Sequence, residues 1–476
     1  MQAPPEQPLS KPMTCEEVNH AYPALAFSSP IDRALPPFSS RATRASFVFL
    51  WLFTVAIYAR PEDIFPVLAP LHLTFILGLC SGLTYAAARF SGHVRFVWSR
   101  EIRIVLLLTA WYALGLPFAL WRGGSFEVLI QVWSKTLLIF VLLTQTLVTI
   151  KRIHLLLWAI ILSELVVTGF SIIQSSRVVW VGERMSGINQ GILGWNFLGI
   201  EAALTIPYIA AMFISHRSAL NTGLLAVTSL SMLWMLVLTA SRGGLLNVLW
   251  SALLTSFLVL RGRSRGRLVG IGMAAALFAA VSFAPQVFWQ RLETVWNGSP
   301  AYADAVQASA EESTQDHLAV LDRSIAYTLE NPVFGLGLGN FQVASGLQLG
   351  QPSAWMGTHN TFTEVSSEAG MPALGLLLAL LVTAIINMRR IGRAFAQNSG
   401  TLDLLLMSRA TLASLLSFIF GAFFAHLAYE YYLFYPVAIA VGIHCIARAT
   451  PRPDRVETCS PLPTANPVRG DLLCQN

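Results

Sequence analysis

Stretches of apolar residues near 20 long recur along almost the whole of this chain, and no other feature limits its fold so strongly. A hydrocarbon core about 30 Å thick is crossed by an α-helix of about 20 residues. Twelve such stretches can be drawn, at residues 46–59, 66–88, 103–121, 126–148, 153–173, 191–214, 219–240, 243–260, 268–288, 370–388, 405–425 and 431–447, the first of them short. With 55% hydrophobic and only 12% charged residues, the composition lies well outside the balance of soluble domains. The expectation is an all-α integral membrane protein with about 12 transmembrane helices. Its largest non-spanning segment, residues 289–369, is too short and too polar to suggest a separate soluble domain.

Lys and Arg near span ends mark cytoplasmic loops. With a cytoplasmic N-terminus, 23 of the 31 basic residues fall on the cytoplasmic side. Seven fall on the other side: Arg60, Arg122, Arg177, Arg184, Arg242, Arg291 and Arg323. Lys135 lies within the fourth span. This asymmetry predicts cytoplasmic termini and makes 289–369 one large extracytoplasmic loop. It also accounts for the net charge of +6 as membrane topology, because the basic residues are dispersed between spans and not gathered into a nucleic-acid footprint. Membrane lipids are the expected surroundings, and no nucleic acid is implied.

The chain then divides into a disordered cytoplasmic tail at 1–45, which holds eight prolines, a polytopic membrane domain at 46–448 and a Pro-rich cytoplasmic tail at 449–476. The five cysteines are scattered without metal-ligand spacing, so neither a disulfide nor a zinc site is expected.

The outside basic residues are the informative minority, since orientation does not need them. Arg184 lies in the Gly- and Asn-rich approach to the sixth span, with Gly187, Asn189, Gly194 and Asn196 downstream. Arg242 lies in a break of a few residues between the seventh and eighth spans. Two readings of Arg242 stand open: a turn residue snorkelling to lipid headgroups, or a guanidinium that binds phosphate bidentately, with Gly243 and Gly244 letting a bulky anion approach the backbone. Lys135 either pairs with a carboxylate such as Glu164 or Glu201 or lines a cavity.

His359 stands between Thr358 and Asn360, directly before the tenth span, with Glu364 and Glu368 spaced to share a helix face beyond it. A lone histidine is often structural, but one oriented by short polar neighbours can act as a base near neutral pH. The run Gly335–Phe341 resembles Gly-rich phosphate loops yet lacks their Lys-Ser/Thr ending and any βαβ context. A tight turn after the helix-like segment 316–332 is the simpler expectation.

Taken together, Arg184 in RMSG, the SRGG turn at Arg242, ENPVFGLGLGNF and THNTFTEVSSEAGMPALG around His359 resemble the O-antigen ligase family over about residues 180–390. The resemblance implies a GT-C-like membrane glycosyltransferase of the bacterial inner membrane, multi-pass, acting in cell-surface polysaccharide biosynthesis. It implies transfer of a glycan from an undecaprenyl-pyrophosphate carrier to an acceptor glycan or glycolipid on the outer face, inverting and independent of metal or other cofactor. Arg184 and Arg242 would bind the pyrophosphate, and His359 would orient or deprotonate the acceptor hydroxyl. A polymerase of the same family would use the same motifs. A membrane transporter is the other class, though transporters tend to place charges near the midplane of inverted repeats, whereas here they gather at outer span ends and no internal repeat is visible.

Overall fold

The computed structural model describes residues 42–173, 180–181, 184–185, 195–216, 218–297, 305–350, 357–396 and 401–450, all within one compact unit that spans 40–476. Residues 1–41 and 451–476 of the two expected tails lie outside them. Among the described residues a helix occupies most of each of the twelve apolar stretches. In chain order they are α1 (Arg44–Ala59), α2 (Leu73–Phe90), α3 (Arg100–Gly115), α4 (Arg122–Thr146), α5 (Ile150–Ile173), α6 (Trp195–Ser215), α7 (Ala219–Thr239), α8 (Arg242–Leu260), α9 (Ser264–Ser282), α13 (Thr361–Ala394), α14 (Leu402–Gly421) and α15 (Phe434–Ala449). Three further helices, α10 (Gln286–Asn297), α11 (Ala305–Glu330) and α12 (Phe341–Leu349), occupy the segment between α9 and α13.

Among the described residues, ten helices are long and apolar enough to cross a membrane, while α1 and α15 have 16 residues each. The strands among the described residues form a two-stranded antiparallel hairpin in which β1 (Trp180–Val181) pairs with β2 (Arg184–Met185). The helices α4 and α8 each contain a π-helical stretch, Val128–Trp133 and Ser256–Leu260.

The centre of the bundle is α6, packed against α8 and α14. Small residues make this possible. A Cβ placed on Gly199 of α6 would sit 2.3 Å from the Cα of Gly244 on α8, so the two backbones touch there. Lower on the same faces, the Ser414 hydroxyl of α14 donates to the Leu204 carbonyl of α6 (3.0 Å), and Tyr208 donates to Thr411 (3.3 Å). Without a hydrophobic force between helices in lipid, close backbone approach and interhelical hydrogen bonds hold such a bundle together. By contrast α9 leaves almost all of its spanning window uncovered, which marks it as peripheral.

The sequence places the tenth span at 370–388, preceded by loop. The helix instead begins at Thr361 and is broken at Gly370, whose backbone (φ 83°, ψ 173°) is open to glycine and strained for other residues. The break frees backbone groups, and each finds a partner. Leu336 and Gly337 donate to the carbonyls of Ser367 and Glu368 (2.8 Å each), the Trp111 indole of α3 donates to that of Ala369 (2.9 Å), and Met371 donates to Pro332 (2.8 Å). Six of the nine residues 361–369 are polar, and Thr361, Glu364, Ser366 and Glu368 are buried as helix with side-chain partners outside this stretch.

Candidate active site

The site is built on the N-terminus of α13. The Asn360 side chain caps the helix, accepting from the backbone of Phe362 (2.9 Å) and Thr363 (3.2 Å). Immediately before it, His359 is held in the left-handed region (φ 52°), a conformation that costs free energy in a non-glycine residue and clusters at functional sites. Its ring meets two other histidines: His317 of α11, with centroids 4.4 Å apart, and His426 of the connector between α14 and α15, at 5.5 Å. Burial, reinforced by these two rings, lowers the His359 imidazole to about 3, and burial lowers His426 as well. At neutral pH both rings are uncharged. Among the described residues no three His, Cys, Asp or Glu side chains are arranged to hold a metal ion.

One turn further on, Glu364 accepts from the Ala428 backbone (3.0 Å), and the Thr361 hydroxyl donates to the Ala425 carbonyl (2.7 Å). The glycine turn follows α11. Its amides cradle a side chain of the protein itself: Gly339 donates to Glu368 Oε2 (2.7 Å) and Phe341 to Oε1 (3.0 Å), while the Tyr429 hydroxyl donates to Oε2 (2.7 Å). Residues 335–341 and 359–370, which read as two motifs in the sequence, are therefore one hydrogen-bonded unit, clamped by the 422–433 connector.

Arg242 is the first residue of α8, partly buried, beside the Ser241 cap whose hydroxyl accepts from Gly244 (3.1 Å). Contacts along α6 locate it relative to the histidines: Gly199 lies against Gly244, and Phe197, two residues earlier, packs edge-on against His426 at 5.7 Å. The start of α8 and the histidine cluster thus share one end of the bundle. The expectation that Gly244 leaves room for an anion is not met, since Gly199 fills that space. Arg184 pairs through its backbone with Val181 in the hairpin, which approaches α7. The side-chain surroundings of Arg184 and Asn196, and the residues Gly187, Asn189 and Gly194, fall outside the described residues. Lys135 is exposed and reaches neither Glu164 nor Glu201 as a partner; those two carboxyls meet each other, and the lysine's charge acts on Glu430.

Residues 227–380 match the model of a family described as O-antigen ligase. In this segment the chain is similar to the O-antigen ligase family. The matched segment contains Arg242 and His359, whereas Arg184 and His426 lie on either side of it. Comparison with curated proteins gives no match. The many apolar helices support a multi-pass membrane protein, and the similarity to the O-antigen ligase family points, in general terms, to a ligase- or polymerase-like function with a lipid-linked glycan and an acceptor as partners. Sequence reasoning missed His317 and His426. The one signal for His426 was the run HLAYEYY packed into the short connector between two spans, richer in polar aromatics and acids than a simple turn needs.

Proposed function

We propose that this chain transfers a glycan from an undecaprenyl-pyrophosphate carrier to an acceptor hydroxyl on the outer face of the bacterial inner membrane, through a GT-C-like bundle of twelve spans with both termini cytoplasmic. The observation that carries the reading is the uncharged His359, held in strained backbone geometry at the bundle end where α8 begins with Arg242.

Arg242, with Arg184, holds the pyrophosphate and neutralises the charge that grows on it as the glycosyl bond breaks. The acceptor oxygen attacks the anomeric carbon from the opposite side, so configuration inverts, and no metal is needed to offset the leaving charge. His359 accepts a hydrogen bond from the acceptor hydroxyl through a ring nitrogen that stays unprotonated. With so low an affinity for protons it does not ionise an alcohol in advance. It takes the proton late, once the new C–O bond has made that oxygen strongly acidic.

The test is His359→Ala in full-length protein assayed with lipid-linked glycan donor and with two acceptors, lipid A–core and a second lipid-linked repeat. Loss of a general base costs about 100- to 10,000-fold in rate. Donor binding and membrane insertion should persist. Transfer at near wild-type rate by the inserted variant would overturn the role of His359, and the acceptor that wild type accepts separates ligase from polymerase.

A further inference from the structure

A second polar constellation lies between the C-terminal end of α1 and the connector, and the chemistry at His359 does not use it. Arg60 ends α1 in the left-handed region (φ 48°), only 20% exposed and 3.7 Å from Asp63. Thr136, next to Lys135, donates to the carbonyl of Tyr429, next to Glu430 (2.8 Å), which brings the two charges to one place; burial pushes the Glu430 carboxyl up, and Arg60 and Lys135 draw it back down. Lys135 is exposed partway along the α4 span, and a lysine at such depth needs a polar cavity or a partner, since acyl chains offer it nothing. Around these charges the tyrosines interlock. Tyr58 packs edge-on against Tyr431 (5.7 Å) and Tyr435 (5.4 Å), and Tyr431 stacks on Tyr432 (4.6 Å). Behind them Glu164 and Glu201 share a hydrogen bond, and the Glu164 Oε1, on a residue only 3% exposed, has no partner at all.

The ligand that fits this set both donates and accepts. Arg60 and Lys135 only donate, Glu430 accepts, and tyrosine hydroxyls do both. A phosphate only accepts and would meet Glu430 as a like charge. A sugar ring offers hydroxyls to every one of these groups and an apolar face to the tyrosine walls. Position selects which sugar. Glu430 lies four positions after His426, at most about 14 Å of extended chain, and His426 touches His359, while the proposed pyrophosphate contact is at the start of α8.

We propose that Arg60, Lys135 and Glu430, walled by Tyr58 and Tyr431, form a binding subsite for the acceptor glycan. This rests on the transfer reading above for the word acceptor, and on the constellation alone for the word glycan.

The experiment measures calorimetric binding of two probes, deacylated lipopolysaccharide core oligosaccharide and free repeat-unit oligosaccharide, to full-length protein in nanodiscs without donor. Wild type is expected to bind one of them, and Glu430→Gln and Lys135→Gln each to weaken it about tenfold or more, as for a lost hydrogen bond to a charged group. Glu430→Gln is isosteric and Lys135 is exposed, so monodisperse protein is expected from both; if either fails to fold, Arg60→Gln takes its place. Binding lost in the variants when wild type shows no transfer would leave the subsite standing and the transfer reading fallen. Unchanged affinity in the variants, or a wild type that binds neither probe, overturns the subsite. So does a pair of variants that lose phosphatidylglycerol from lipid vesicles while binding sugar normally, because the cluster would then belong to a headgroup.

Discussion

The first turns of α13 and the connector that covers them lie against each other, yet they treat buried polar groups in opposite ways. In α13 both oxygens of Glu368 are taken, by the amides of Gly339 and Phe341 and the hydroxyl of Tyr429, and Glu364 and Thr361 are bonded to the connector backbone. In the connector, Nδ1 of His426 is buried without any partner, beside a His359 ring kept uncharged. A buried polar group left unpaired costs about 1–3 kcal/mol. The satisfied groups therefore hold the scaffold in place, and the unsatisfied ones are those with something left to bind.

The strongest way to break this contrast is Glu368→Ala. Removing the carboxylate leaves two amides and a phenol without an acceptor, at about 1–3 kcal/mol each, so a loss of about 3 kcal/mol or more is expected. Thermal unfolding of detergent-purified protein reads it directly. A variant that unfolds with wild type but has lost glycan transfer would move Glu368 from the scaffold to the reacting groups.

Next in size is Arg242→Lys. A bidentate fork on pyrophosphate is not reproduced by an ammonium, so the rate of glycan transfer should fall about tenfold or more, almost as far as in Arg242→Ala. Full activity in the lysine variant at matched protein levels would leave only charge, and the snorkelling reading of this residue would gain the ground.

Acid should act through the unsatisfied side. Folded His359 and His426 bind protons less readily than the ordinary histidine value of 6.5, so the unfolded chain takes up protons first. Their contribution to stability is whole above pH 6.5 and fades as pH falls from there towards about 3, the value of His359. Unfolding temperature measured from pH 8 to pH 4 should drop less steeply in His426→Asn than in wild type. Parallel curves would mean that the cluster is solvated and the contrast with Glu368 is lost.

How much of this was legible in the sequence follows the same division. The helices of the apolar stretches were, ten of them long and apolar enough to cross a membrane, because length and hydropathy are local properties. The helical start of α13 was not: six of the nine residues 361–369 are polar, and hydrogen bonds from the glycine turn and the connector, dozens of residues away, offset the cost of burying them. The pairing of Glu364 with Glu368 on one helix was readable from spacing. That the amides of the glycine turn hold Glu368 is a tertiary fact. His359 stood out through its neighbours, whereas His317 and His426 gain meaning only from centroid distances of 4.4 and 5.5 Å that no local pattern encodes.

The smallest effects should come from the two helix caps, and they sharpen the contrast because each cap serves one side of it. Ser241 accepts one amide, that of Gly244, and precedes Arg242; Asn360 accepts two, those of Phe362 and Thr363, and follows His359. Replacing either by Ala should cost about 1 kcal/mol of stability. Function should separate them. Ser241→Ala loosens the turn that aims Arg242, so donor KM should rise with kcat little changed. Asn360→Ala releases His359 from its left-handed position, so kcat should fall with donor KM little changed. Steady-state kinetics with a saturating acceptor distinguish the two, and equal effects on both constants would show that arginine and histidine are not held by independent parts of the bundle.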